Sequence, residues 1–255
     1  MLHYDGTSFA GWQEQRGQRT VQGELEAALT RLTDRPTSAV AAGRTDSGVH
    51  ATGQVAGTLV PAKWAAAPLR KALNAVLPRD VWVASAHEVP LAFHARYDAV
   101  ARGYTYRIGT EEEAASPFLR RWCWPLLRPL PLELLAAAAA RLLGRHSFAA
   151  FAKVGQPQRG VQCTVLRSEW RAWHGVGVEY RVTANRFLHH MVRYLVGTMV
   201  DVARERRPLS DIDALLAKAP GFETSAPAPP EGLCLSRVYY QQQELEHEEY
   251  DETVP

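Results

Sequence analysis

Two runs of alternating apolar and polar residues, 163–173 and 176–184, are separated by only His174 and Gly175. Neither has room for a crossover that would return it parallel. They must fold back on each other as an antiparallel hairpin, each turning one face inward. The stretch ARGYTYRI, residues 101–108, alternates in the same way and predicts another long strand. Shorter strands are expected at 2–4, 39–42, 54–60, 81–86 and 235–242.

Helical spacing interleaves with these strands. Val21, Leu25, Ala28 and Leu32 make an apolar stripe behind Thr20, a residue type that caps helix N-termini, and predict a helix over 20–33. Further helices are expected at 68–77, stopped by Pro78, and at 131–143, with proline in the first turn and Gly144 past the end. Two more are expected at 187–203 and 212–217. This order predicts an α+β fold: two similar subdomains with mainly antiparallel sheets, helices on one face, and a cleft between them. The halves would be residues 1–100, carrying Asp46, and 101–243, followed by an acidic tail, 244–255, expected to be disordered.

Charge sharpens the reading. The tail holds six acidic residues and no Lys or Arg, which leaves 29 basic against 21 acidic groups elsewhere, a formal +8. A basic body suits a polyanionic partner, although solvated surface charge gives the same numbers. The longest apolar stretch, 130–143, contains Pro131, Glu133 and Arg141, so it reads as a helix of a globular domain and not as a membrane span. MLHYDG lacks a signal-peptide core. Cys123, Cys163 and Cys234 are far apart and odd in number, which favours a reducing cytoplasm over a disulfide framework or a zinc site.

The chemistry concentrates in AAGRTDSGVHATGQV, residues 41–55. Gly43 and Gly48 bracket Asp46, so backbone there can take unusual angles and a polymer can approach the carboxylate. Arg44, two residues away, would favour the ionised form of Asp46, which could then act as nucleophile or base. The plain alternative is a turn closed by an Asx-type bond, with Arg44 on the surface. Asp46-Ser47-Gly48 resembles half of an aspartic-protease site, but that chemistry needs a second such carboxylate. His189 and His190 are adjacent on an expected helix and would diverge, and no metal-ligand spacing occurs, so no metal is expected. Gly175-Val176-Gly177 lacks the setting of a dinucleotide loop, and no Walker-type lysine loop is present.

Two further constellations are basic and aromatic. FHARY (93–97) and RGYTYR (102–107) place tyrosines and arginines on or near strands, with Arg102, Tyr104 and Tyr106 on one face. Such surfaces stack unpaired RNA bases, though tyrosines are also ordinary strand residues. In NRFLHHMVR (185–193), Phe187, Met191 and Tyr194 make a core stripe, while His190 and Arg193 share a face, as do Arg186 and His189. A buried arginine there would need an anion.

YDGTSFAGWQ (4–13), RTVQ (19–22), GRTDSGVHA (43–51), ALN (72–74) with Leu77-Pro78, FHAR (93–96), FLHHMVR (187–193) and GLCL (232–235) resemble, in order and over essentially the whole chain, the signature blocks of the tRNA pseudouridine synthase A family. The resemblance implies isomerisation of uridine to pseudouridine at positions 38–40 of the tRNA anticodon arm, by a cytoplasmic homodimer with neither cofactor nor metal. It puts the nucleophilic aspartate on Asp46 and the base-stacking tyrosine on Tyr104. It also implies substrate-binding roles for Arg44, Arg193, Arg96, His50 and Leu233, with Arg193 paired to the carboxylate. The chain departs from the usual family pattern in a short first strand, in Arg186 where a small residue is common, and in Cys234 where an aromatic is common. The rival from another class is an RNA-binding protein or chaperone that uses the same cleft without chemistry.

Overall fold

The computed structural model describes residues 1–153 and 160–246. Most of the acidic tail therefore lies outside the described residues. In chain order the elements are β1 (Leu2–Tyr4), α1 (Val21–Thr33), β2 (Ala39–Ala41), β3 (His50–Gln54), β4 (Ala56–Thr58), α2 (Ala66–Val76), β5 (Val81–Val83), β6 (Ala101–Gly109) and β7 (Trp124–Pro125). They continue with α3 (Leu132–Ala140), β8 (Gly144–Ser147), β9 (Gln162–Trp173), β10 (Gly177–Ala184), α4 (Met191–Ala203), α5 (Ser210–Leu216), β11 (Leu233–Tyr239) and α6 (Gln243–Glu246). The architecture is α+β, with a large, mostly antiparallel sheet.

The β9–β10 hairpin forms as its spacing requires. His174 and Gly175 both take positive φ, 42° and 71°, the pattern that matches a two-residue turn to strand twist. Register runs from Gly177↔Trp173 towards Ala184 with one irregularity at its far end. On the inner face Tyr180 stacks on Trp170 at 5.0 Å, and its hydroxyl meets Ser168 Oγ at 2.8 Å, so the buried phenol is satisfied. Thr20 caps α1 by accepting from the Gly23 N–H, as the sequence led one to expect.

The strands of the two halves run on into one sheet instead of forming two. Its order is β5-β1-β3-β11-β6-β10-β9-β8, with β7 added beside β6, nine strands among the described residues. The strand that joins the halves is β11, from the end of the chain, parallel to β3 and antiparallel to β6. A two-stranded sheet, β2–β4, stands apart and leads into the Asp46 loop. The expected strand over 54–60 is in fact two, β3 and β4, broken at Val55, whose carbonyl accepts from the Ala42 N–H.

The helix expected from Phe187 begins only at Met191, because His190 takes a left-handed conformation, φ 63°. Met191, Leu195, Val196, Met199 and Val200 of α4 are fully buried against the sheet. Each such side chain contributes roughly 1.5–3 kcal/mol by leaving water. No helix among the described residues is long and apolar enough to cross a membrane.

Candidate active site

The loop carrying Asp46 is fastened from below. Tyr4 OH meets Thr45 Oγ1 at 2.8 Å, and Gln54 Nε2 donates to the Gly43 carbonyl at 2.8 Å. The Trp12 N–H donates to the Thr45 carbonyl, and the Gly48 N–H to the Phe9 carbonyl. Gly11 makes this bracing possible: it sits at φ 96°, and a Cβ there would lie 2.6 Å from the Thr45 carbonyl oxygen. Of the two glycines flanking Asp46, only Gly48 uses positive φ, 78°. Segment 4–13 thus aims the carboxylate without touching it.

The loop faces a cleft of ≈ 1270 Å³ whose lining includes Asp46, Arg44, Arg96, Tyr104, Leu233, Lys153 and His189. Its walls come from the loop before β3, the segment before β6, β6 itself and residues 185–190 ahead of α4. Asp46 is largely enclosed, with 18% of its side chain exposed. His189 Nε2 stands 3.3 Å from one carboxylate oxygen. His190 Nε2 at 3.5 Å and Arg193 Nη1 at 3.8 Å face the other. Arg193 is anchored by its Nε, which donates to the Ala228 carbonyl at 2.7 Å. Burial holds His190 below the usual imidazole range. The Asp46 charge opposes this, and His189, Arg193 and Lys153 reinforce it.

Tyr104 is buried on the cleft wall, edge-on to Phe187 with ring centroids 5.0 Å apart. Burial, helped by the negative charge of Asp46, raises its phenol well above the ordinary value, so it stays protonated. Its two expected companions on the strand do other work. Tyr106 is fully buried and donates to the Pro229 carbonyl. Arg102 donates to four backbone carbonyls, those of Ala42, Arg96, Ala99 and Asn185, and so ties together three segments that frame the cleft.

Five of the expected residues, Asp46, Tyr104, Arg44, Arg96 and Leu233, thus line one cleft, with Arg193 behind the carboxylate. Two expectations need correction. Arg44 is exposed and forms no ion pair with Asp46 among the described residues; Arg193, His189 and His190 surround the carboxylate instead. His50 does not reach the cleft. It is 3% exposed, accepts from the Gly6 N–H at Nδ1, meets the Arg121 carbonyl through Nε2 at 2.9 Å and packs on Trp122. The pleat of β3 turns it to the opposite side of the sheet from the Asp46 loop.

Sequence reasoning missed the two histidines. The argument that neighbours on a helix diverge fails because they precede the helix: both rings converge on Asp46, with centroids 4.1 Å apart.

Comparison with known proteins gives a consistent result. A family profile described as tRNA pseudouridine synthase matches residues 1–98 and 138–241, which flank the segment that carries Tyr104. The tRNA pseudouridine synthase A of Moorella thermoacetica is 42% identical over 241 residues, 94% of this chain and 97% of its own. That of Solidesulfovibrio magneticus is 42% identical over 248 residues, covering 94% and 89% of the two chains. That of Geobacillus kaustophilus is 40% identical over 251 residues, covering 97% and 95%.

Proposed function

The chain belongs to the tRNA pseudouridine synthase family, and from that premise we propose that it isomerises uridine to pseudouridine at positions 38–40 of the tRNA anticodon arm, with Asp46 as the nucleophile. The observation that carries this reading is one enclosed carboxylate, Asp46, faced by Arg193 at 3.8 Å in the same cleft as Tyr104. An ionised carboxylate held by a guanidinium is poised for attack, and an exposed one would be spread over solvent.

The target uracil lies inside a stem or stacked loop, out of reach of a buried group, so the nucleotide flips out at roughly a few kcal/mol. Stacking on Tyr104 returns roughly 1–3 kcal/mol of that. Asp46 then attacks the uracil ring or the ribose C1′. The glycosidic C–N bond breaks, the ring turns, C5 bonds to C1′, and the bond to Asp46 breaks, which returns the free carboxylate. The C5 proton leaves to water, directly or by relay through the Tyr104 hydroxyl, which passes its own proton on as it accepts, and N1 takes up a proton. The chemistry is redox-neutral and asks for no cofactor. Arg44, Arg96 and Lys153, which line the cleft, suit the phosphates on either side of the flipped nucleotide. The same membership supports a cytoplasmic homodimer.

The test is a tRNA transcript carrying uridine tritiated at C5. Wild-type protein is expected to release tritium to water. Asp46→Asn is expected to lower the rate by roughly a thousandfold or more while tRNA binding persists. Release by Asp46→Asn near the wild-type rate would refute the assignment, and tRNA binding without release by the wild type would favour a binding protein instead.

A further inference from the structure

The groups around Asp46 also fit a different ligand. One imidazole nitrogen from each of His189 and His190 and a carboxylate oxygen of Asp46 all lie within 4.8 Å of one another. His189 Nε2 stands 3.3 Å from one carboxylate oxygen and His190 Nε2 3.5 Å from the other, so an ion between the rings would meet either oxygen or both. A tetrahedral ion held at Zn–N and Zn–O lengths of about 2.0–2.2 Å separates its ligands by roughly 3.3–3.5 Å. The left-handed turn at His190, φ 63°, is what swings both imidazoles to the carboxylate, and a non-glycine residue there is uncommon enough to mark a built feature.

We propose that Asp46, His189 and His190 form a binding site for a borderline divalent cation, Zn²⁺ foremost, and that its occupation blocks the catalytic carboxylate and so inhibits the enzyme.

Three protein ligands with a fourth position open to the cleft match the usual arrangement of accessible zinc sites. His189 is 41% exposed on its side chain, so the ion has a path in. The charges nearby set the selectivity. Arg193 faces the same carboxylate at 3.8 Å, and Lys153 lies close enough to act on His190. A single carboxylate with cations nearby is a poor site for Mg²⁺, which is hard and prefers several oxygen ligands. Zn²⁺, Co²⁺ and Ni²⁺ gain enough from two imidazoles to displace the weak Arg193 contact. The cell's Mg²⁺, needed to fold tRNA, would thus leave the site open, and a rise in free zinc would close it.

Metal binding stands on its own geometry, whereas inhibition rests on Asp46 being the catalytic group. The experiment separates the two. Tag-free protein is titrated with Co²⁺, whose visible absorption reports four-coordinate nitrogen and oxygen ligation, and then with Zn²⁺ by calorimetry. One equivalent of each is expected to bind, Zn²⁺ displacing Co²⁺, with no binding of Mg²⁺. His189→Ala, His190→Ala and Asp46→Asn are each expected to weaken Zn²⁺ at least tenfold. Stoichiometric Zn²⁺ is expected to stop tritium release by the wild type, and a chelator to restore it. Absence of Co²⁺ absorption, or Zn²⁺ affinity unchanged in the histidine variants, would overturn the site. Binding at the site with tritium release undiminished would overturn the inhibition. If the metal-free wild type releases no tritium, the proposed function fails, yet the Co²⁺ spectrum still decides the site.

Discussion

Arg193 serves two partners with one guanidinium: its Nε holds the Ala228 carbonyl and its Nη1 faces Asp46. Lysine has the charge but not the fork, so Arg193→Lys cannot keep both contacts. A fall in kcat of roughly tenfold to a hundredfold, with KM little changed, is the expected result of steady-state tritium release. At Tyr104 the aromatic face and the hydroxyl can be told apart. Tyr104→Ala is expected to weaken tRNA binding by roughly 1–3 kcal/mol through lost stacking. Tyr104→Phe keeps that affinity, and any loss in its kcat measures the hydroxyl's share in moving the C5 proton. Asp46 stood out in the sequence as a lone carboxylate among small residues, a pattern that a plain Asx-type turn fitted as well, and the structure places it in the cleft. His50, which the resemblance placed with the substrate-binding residues, lies outside the cleft lining because the chain turns at Gly48 and β3 directs it elsewhere. His189 and His190 were missed for a related reason, since the helical period was carried four residues too far.

Elements with strong periodicity came through best. The β9–β10 hairpin, β6 and α1 lie within a residue of their expected bounds, because alternation and capping act locally. The two-residue β7 and the short β8 carry no pattern of their own and form only by adding to the sheet. The hairpin turn predicts its own sensitivity: Gly175→Ala forces a side chain into φ 71° and is expected to cost about 1–2 kcal/mol, seen as a lower denaturation midpoint with catalysis intact. Arg102 behaves differently, because it links elements. Lysine in its place could not satisfy the four carbonyls, so Arg102→Lys is expected to lose about 2–3 kcal/mol of stability and to lower kcat as well, as the cleft walls loosen. Thermal melts read beside tritium release would check the pairing, and loss of stability without loss of rate would deny Arg102 its framing role.

At the scale of the whole molecule, the basic body sets how tRNA is held. Affinity is expected to fall linearly on a log–log plot against salt, and Arg96→Gln to flatten that slope by about one. Acid should weaken the fold through His50. Burial outweighs Asp5 and keeps its imidazole below the ordinary 6.5, so the unfolded chain binds the proton more readily. Stability is therefore full above about pH 6.5 and declines as pH falls below it. His50→Gln should flatten that decline in melts between pH 7.5 and 5.5, and an unchanged decline would remove His50 as its source. The sheet order carries one more consequence. The strand that stitches β3 to β6 is β11, ending at Tyr239. During synthesis β3 and β6 both leave the ribosome with an unfilled edge, and residues 233–239 must emerge before it is filled. This late strand is the keystone, and a truncated product that stops short of it has every residue around the carboxylate and still no way to close the cleft.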